Sequence, residues 1–225
     1  MIPNDIKTGG AVHPYFSVII TTYNREKLLK RALDSLLVQT ERDWEAIIID
    51  DGSTDNTEAL TKQYLHNSNK IKFKKQQRKG YSLAKNAGLP LASGRFITFL
   101  DSDDEYDCAH LESRKKILQD NPLAEFLHGG VTIVGNPFVP DMYDYSKQIH
   151  LSQCTIGATF FIQKKLFLAL KGFRDIPLGS DADFFERVKN AGKPIIKTEI
   201  PSYIYYRDTP GSITNTIVPC NPINP

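Results

Sequence analysis

Hydrophobic positions along the first part of the chain switch repeatedly between two periods. Phe16-Ser17-Val18-Ile19-Ile20-Thr21 is a short β-branched run that reads as a buried strand. Leu28, Ala32 and Leu36, lying beside Leu29, Leu33 and Leu37, then form the i, i+4 rows of an amphipathic helix. Trp44 to Ile49 reads as the next strand, and Asp55 with Glu58 three residues on gives the acidic version of a capping box opening a helix towards Tyr64. Ile71 to Lys74 is a third strand, Leu83 to Ala92 a helix, and Arg95 to Leu100 a fourth strand. Strands alternating with helices in this way predict an α/β fold with a doubly wound, mainly parallel sheet.

After Asp104 the alternation loosens. Asp107 is expected to cap a helix running to Gln119, and the apolar stretch Ala124 to Val134 leads into a Pro- and Tyr-rich segment through Tyr145 that reads as a loop or insertion. A strand at Thr159 to Ile162, a helix at Lys164 to Leu170, a turn around Gly172 and a helix starting near Ser180-Asp181 follow. The tail from Thr216 has three prolines in its last seven residues and reads as disordered.

Composition narrows the function classes. With 225 residues the chain has room for one catalytic unit. Its 28 basic and 26 acidic residues leave a formal charge of +2 with no long basic run, so nothing argues for nucleic acid as a partner. Cys108, Cys154 and Cys220 are widely spaced and odd in number, which favours neither a disulfide framework nor a zinc site and fits a reduced, intracellular setting. Residues 1–15 form an N-terminal extension without the apolar core of a signal peptide, and no stretch is long enough to cross a bilayer. Any membrane contact is expected to be peripheral or mediated by the substrate.

The chemistry is concentrated where the strands end. Asp101-Ser102-Asp103-Asp104 follows one apolar run and Asp50-Asp51 follows another, so two strands deliver acids to one edge of a parallel sheet, the edge where open α/β sheets bind ligands. Clustered carboxylates repel one another unless a cation lies among them. Their hard oxygens suit Mg²⁺ or Mn²⁺, and Mg²⁺ usually takes only one or two protein carboxylates alongside substrate phosphates. The pattern points to a metal plus a nucleotide diphosphate; the alternative is a turn and helix cap.

Thr21-Thr22-Tyr23-Asn24-Arg25 contains no glycine, which excludes a dinucleotide fingerprint or P-loop after the first strand. Tyr23 can stack on a base or simply pack, and Arg25 can pair with phosphate. Of Asp50 and Asp51, one is expected to cap the next helix, leaving Asp51 for the base. Phe184, Phe185 and Val188 fall on the same helix face as Asp181, whereas Asp183 points away and is expected to face water. A carboxylate beside apolar surface is raised above its usual value of about 3.9 and makes a better base near neutral pH. The alternative for Asp181 is a first-turn helix acid. An EF-hand reading fails on Tyr106, which stands where that loop needs glycine, and the five histidines show no metal-ligand spacing.

Four stretches together resemble the large inverting glycosyltransferase family 2, which has the GT-A fold. They are Ser17 to Arg25, Ile49 to Asp55, Gly94 to Asp104, and Gly172-Phe173-Arg174 with Ser180-Asp181, and their order matches the family from about Phe16 to Ser212. The resemblance implies a GT-A domain over 16–215, with a nucleotide-sugar-binding half (16–104) and a smaller acceptor-binding half (105–215). It implies that Thr21, Tyr23, Arg25 and Asp51 hold the nucleoside, that Asp101 and Asp103 form the Asp-x-Asp at the ribose and the diphosphate-bound metal, and that Asp181 is the base. Lys85 stands in Ala84-Lys85-Asn86 where the family has Ala-Arg-Asn, and Arg207 matches a cation that closes over the diphosphate. Gly157-Ala158-Thr159 would border the acceptor, whose identity the segment from Gly135 to Gln153 would help to set.

Departures from the family pattern limit what it implies. Ser180 stands where a Glu usually precedes the base, and Thr209 where many members have histidine. A single tryptophan, Trp44, and the lack of a Gln-x-x-Arg-Trp signature argue against a processive synthase. The expectation is a metal-dependent enzyme moving one sugar, from a uridine diphosphate donor, to a hydroxyl on a soluble or lipid-linked acceptor in cell-surface polysaccharide or glycoconjugate synthesis. Its setting would be the cytoplasm or the inner membrane face. A catalytically silent nucleotide-sugar-binding module and a sugar nucleotidyltransferase are the competing readings.

Overall fold

The computed structural model describes residues 13–144 and 146–212. Its first half runs β1 (Phe16–Thr22), α1 (Glu26–Leu37), β2 (Trp44–Asp50), α2 (Thr57–Asn67), β3 (Ile71–Lys75), α3 (Tyr81–Gly88) and β4 (Phe96–Phe99). Then come β5 (Glu105–Tyr106), α4 (His110–Asp120), β6 (Phe126–His128), β7 (Val131–Val134), β8 (Phe138–Pro140) and β9 (Gln148–His150). The chain continues through β10 (Phe161–Gln163), α5 (Lys164–Ala169), α6 (Ser180–Asn190), β11 (Ile195–Lys197) and β12 (Tyr203–Tyr206).

A seven-stranded sheet in the order β11-β6-β10-β4-β1-β2-β3 forms the centre, and all its pairings are parallel except the two made by β10. Strands with both faces covered are continuous hydrophobic runs, as β1 and β2 are. Side chains alternate across the pleat, so Val18, Ile20, Ala46 and Ile48 pack on one face with Leu29, Leu33 and Leu36 of α1. Ile19, Ile47 and Ile49 pack on the other with Ala84, Phe167, Phe184 and Val188 of α3, α5 and α6. Burying each such aliphatic side chain contributes roughly 1.5–3 kcal/mol.

Several expectations need correction. The helix expected over 83–92 begins two residues earlier, at Tyr81, after Gly80 (φ 90°), and ends at Gly88; Pro90 lies in a separate 3₁₀ turn, Leu89–Leu91. The capping box at α2 does not close. Asp55 accepts bonds from Thr57 N and from Glu26 N of α1, while Glu58 turns outward to Lys62 and Lys75. The apolar stretch Ala124 to Val134 forms β6 and β7, and the segment after it, expected to be a loop or insertion, holds β8, which pairs with β9 in a hairpin whose strands are too short to register as alternation. The strand expected at 159–162 starts later, behind a 3₁₀ turn at Gly157–Thr159, and runs antiparallel to β4 and β6. Neither β11 nor β12 was foreseen. The latter pairs with β5 and β7 in a second, three-stranded sheet. Tyr145, Cys220, residues 1–12 of the expected extension and the expected tail at 216–225 lie outside the described residues.

Candidate functional site

The carboxyl ends of β1, β2 and β4 open onto a cleft of about 310 Å³. It is lined by Thr21, Tyr23, Arg25, Asp51, Lys85, Asp101, Asp103 and Asp181, eight of the nine candidate site residues, together with Arg78, Tyr81, Gly157, Ser180 and Gly211. Local structure explains how they meet. Asn24 adopts a left-handed conformation (φ 51°), which Asn tolerates, and turns the chain from β1 into α1. Its Oδ1 accepts from Thr54 N at 2.8 Å and its own N–H donates to Ser53 Oγ at 2.9 Å, binding the loop after β1 to the loop after β2.

Asp50 plays the turn role: Oδ1 accepts from Ser53 N at 2.8 Å, while the buried Oδ2 has Lys75 Nζ at 4.0 Å. Asp51, expected to be free for a base, already accepts from Gln76 Nε2 (2.8 Å), Lys79 N (2.9 Å) and Gly80 N (2.8 Å). It fixes the 76–80 loop, and that loop sets Arg78 4.0 Å over the Tyr23 ring. Arg25 reaches the other rim, donating to Pro210 O at 2.6 Å and Gly211 O at 2.8 Å.

The acid run divides three ways. Asp101 Oδ1 lies 2.8 Å from Lys85 Nζ, a buried ammonium whose pKa that carboxylate raises against the opposing effect of burial. Asp104 turns inward, accepting from Tyr203 Oη (2.7 Å) and Tyr206 N (2.9 Å), and is structural. The Asp103 side chain accepts no hydrogen bond from any other described residue. Burial raises its pKa, the Asp101 charge raises it further, and Arg25 and Arg31 oppose the rise. Arg31 bonds the Asp103 carbonyl and lies 3.7 Å over the Tyr206 ring, tying the acid run to β12.

Among the described residues no group of three or more His, Cys, Asp or Glu side chains converges. The pair Asp101 and Asp103 still fits a hard cation, because Mg²⁺ takes one or two protein carboxylates when phosphates complete its sphere. Asp103 is an unshared hard donor held beside a second acid, and a cation would relieve that repulsion.

On the far wall Asp181 Oδ2 accepts from Gly157 N at 2.9 Å and Oδ1 from Ala182 N at 2.9 Å. Burial lifts its pKa above the usual carboxylate range; these two N–H donors and the Lys85 charge oppose the lift. A Cβ at Gly157 would stand 2.7 Å from Asp181 Cβ, so only glycine permits this approach. Asp183 does not face water as expected. It pairs with Arg174 (2.8 Å) and Arg187 (2.9 Å), and Arg187 also donates to Leu170 O and Gly172 O. Asn86 clamps Phe173 through its N–H and its carbonyl. The Gly172-Phe173-Arg174 motif thus anchors α6, which carries Asp181.

Arg207 is placed differently from the expectation. It is 3% exposed, donates to Asn136 O (3.3 Å) and Phe138 O (3.2 Å), and is not among the described residues lining the cleft. It buttresses the start of the β8–β9 hairpin. Arg78 and Tyr81 line the cleft without having been foreseen. Their signal was positional, since the loop after β3 opens on the same sheet edge as the two acid runs.

The sequence profile described as Glycosyl transferase family 2 matches residues 17–162. A curated relative, UDP-Glc:alpha-D-GlcNAc-diphosphoundecaprenol beta-1,3-glucosyltransferase WfgD of Escherichia coli, is 32% identical over 158 residues, covering 68% of this chain and 61% of that protein. Staphylococcus aureus TarS, solved with UDP-GlcNAc, superposes with a TM-score of 0.74 at 22% identity, over 90% of this chain and 61% of that one. The mannosyltransferase PcManGT of Pyrobaculum calidifontis, solved with GDP-Man and Mn²⁺, gives 0.68 at 21% identity, over 89% and 59%. Such structural likenesses bear on fold, which is GT-A, and the chain spans about three-fifths of each of these proteins. The profile match begins inside β1 and ends on β10, taking in both acid runs, and on that ground the chain belongs to glycosyl transferase family 2.

Proposed function

We propose that the cleft binds a nucleotide diphosphate sugar and transfers the sugar, with inversion, to an acceptor hydroxyl. One observation carries this: Asp101 and Asp103 on one wall and a half-buried Asp181, its pKa raised by desolvation, on the other face a single cleft, with Lys85 between them. Residues 16–104 would hold the nucleotide, with Thr21, Tyr23, Arg25, Arg78 and Asp51 around the nucleoside; residues 105–212 would frame the acceptor. Asp181 takes the acceptor proton as the hydroxyl oxygen attacks the anomeric carbon opposite the leaving group, and the bond from that carbon to the nucleotide diphosphate breaks. General-base assistance of this kind is worth about 10²- to 10⁴-fold in rate. Mg²⁺ or Mn²⁺, held by Asp103 and Asp101, would neutralise charge on the departing diphosphate.

A uridine donor and a lipid-linked saccharide acceptor are favoured by the WfgD relative, whose name carries both, and the donor also by the TarS neighbour solved with UDP-GlcNAc. No helix among the described residues is long and apolar enough to cross a membrane. Product analysis tests the proposal. Release of nucleotide diphosphate with sugar transfer, lost in Asp181→Asn while nucleotide binding persists, is the expected result. Pyrophosphate release from a nucleoside triphosphate would establish nucleotidyl transfer instead, and binding without turnover across a broad acceptor panel would establish a silent binding module.

A further inference from the structure

Three hydroxyls meet where α3 and α6 begin. Ser82 Oγ donates to Ser180 Oγ at 3.0 Å, and Ser180 Oγ shares a second bond, also 3.0 Å, with Tyr81 Oη. The three groups carry three protons and the two bonds use two of them, so one proton remains. Ser82 and Ser180 are each 2% exposed, whereas Tyr81 is half-buried and lines the cleft. If Tyr81 donated to Ser180, the remaining proton would be buried on a serine. The order Ser82 to Ser180 to Tyr81 leaves it on the phenol, where the cleft can use it, and satisfies the buried groups.

The position of this phenol matters. Tyr81 and Lys85 are four residues apart and share a face of α3, Lys85 holds Asp101, and Ser180 directly precedes Asp181. A sugar in transit must lie between a diphosphate at Asp101 and Asp103 and an acceptor oxygen at Asp181. This face of α3 walls that interval.

We propose that Tyr81 Oη donates a hydrogen bond to an oxygen of the transferred sugar, a hydroxyl or an acyl carbonyl, and that Ser180 and Ser82 position the phenol. Tyr81 is then a specificity-determining contact for the donor sugar, and the inference rests on the donor reading above. Ser180 gains a role in place of the missing carboxylate. An ionised acid only accepts hydrogen bonds, whereas a phenol already hydrogen-bonded by Ser180 offers its proton to the ligand.

The test is calorimetric titration of a panel of nucleotide sugars and the matching bare nucleotide diphosphates into wild type, Tyr81→Phe, Ser180→Ala and Ser82→Ala. Tyr81→Phe should weaken the preferred nucleotide sugar by about three- to tenfold and leave the bare nucleotide unchanged, with smaller losses for Ser180→Ala and the smallest for Ser82→Ala. Singly deoxygenated donors identify the oxygen, because the analogue lacking it should lose affinity for wild type and none further for Tyr81→Phe. Equal loss for sugar and bare nucleotide, or no loss for either, would overturn the proposal and leave the donor reading standing. A wild type that binds no nucleotide sugar would sink both.

Discussion

Lys85 Nζ lies 2.8 Å from Asp101 Oδ1, and its charge also depresses the pKa of Asp181 on the opposite wall of the cleft. One ammonium therefore serves both ends of the site. Lys85→Met should reduce kcat/KM by roughly ten- to a hundredfold, the loss of one to two charge-assisted contacts. It should also move the acid limb of the pH–rate profile. In the proposed mechanism Asp181 acts as the ionised base, so activity should fall as pH drops through its pKa; removing the cation raises that pKa, and the limb should shift to higher pH. Lys85→Arg should restore the limb.

Gly157→Ala tests how closely Asp181 must sit. The added methyl would fall 2.7 Å from Asp181 Cβ, so the carboxylate must shift. We expect turnover to drop by about 10²-fold, as displacement of a reacting group by about 1 Å commonly does, with nucleotide affinity close to wild type by titration.

Asp103→Asn should remove the manganese-dependent part of thermal stabilisation by a nucleotide diphosphate. Wild type should gain up to about 2.7 kcal/mol from ligand at a hundred times its dissociation constant, less once EDTA is added. For Asp103→Asn the two conditions should give the same melting temperature. The unliganded variant should be no less stable than wild type, because ionised Asp103 is disfavoured by burial and by Asp101.

Tyr203→Phe addresses the core beneath the acids. Its hydroxyl donates to Asp104 at 2.7 Å and accepts from Asp101 N at 3.2 Å, and both Tyr203 and Asp104 are buried. Leaving a buried carboxylate short of a donor costs about 1–3 kcal/mol, measurable as a lower urea midpoint.

Two histidines predict acid sensitivity. Burial and the Arg114 charge push His110 well below its usual value, against a hydrogen bond the ring donates to the Ser202 backbone; burial and Lys197 push His128 down to about 4, against Glu199. In the unfolded chain both titrate near 6.5. As pH falls below 6.5 the unfolded state takes up protons that the folded state refuses, so this stability, complete above 6.5, is lost on the way down to about 4. Urea midpoints at pH 7.5 and pH 5 should show the drop, and His128→Gln should lessen it.

Much of the architecture was legible because β1 and β2 are seven-residue, largely apolar runs, β4 lies in the unbroken run Phe96 to Leu100, and α1 repeats its leucines at helical spacing. Both acid runs were visible for the same reason, each following a recognisable strand. What stayed hidden depends on distant partners. β11 and β12 are three and four residues long and exist through pairing with β6 and β7, and nothing local marks Asp183 as the partner of two arginines. Arg207 was placed by motif alone. The carbonyls of Asn136 and Phe138 that hold it come from a segment whose fold no periodicity announced.

Because β10 runs against β4 and β6, the chain enters the large sheet at the cleft rim, bringing Gly157 with it. The preceding stretch is moored at both ends, to β7 in the small sheet and to β10 in the large one. A connection fixed that way can be lengthened, shortened or rewritten over generations without disturbing the scaffold on either side. With the second half framing the acceptor as proposed, descendants of such a chain would inherit their sugar-donor chemistry intact while trading one recipient for another.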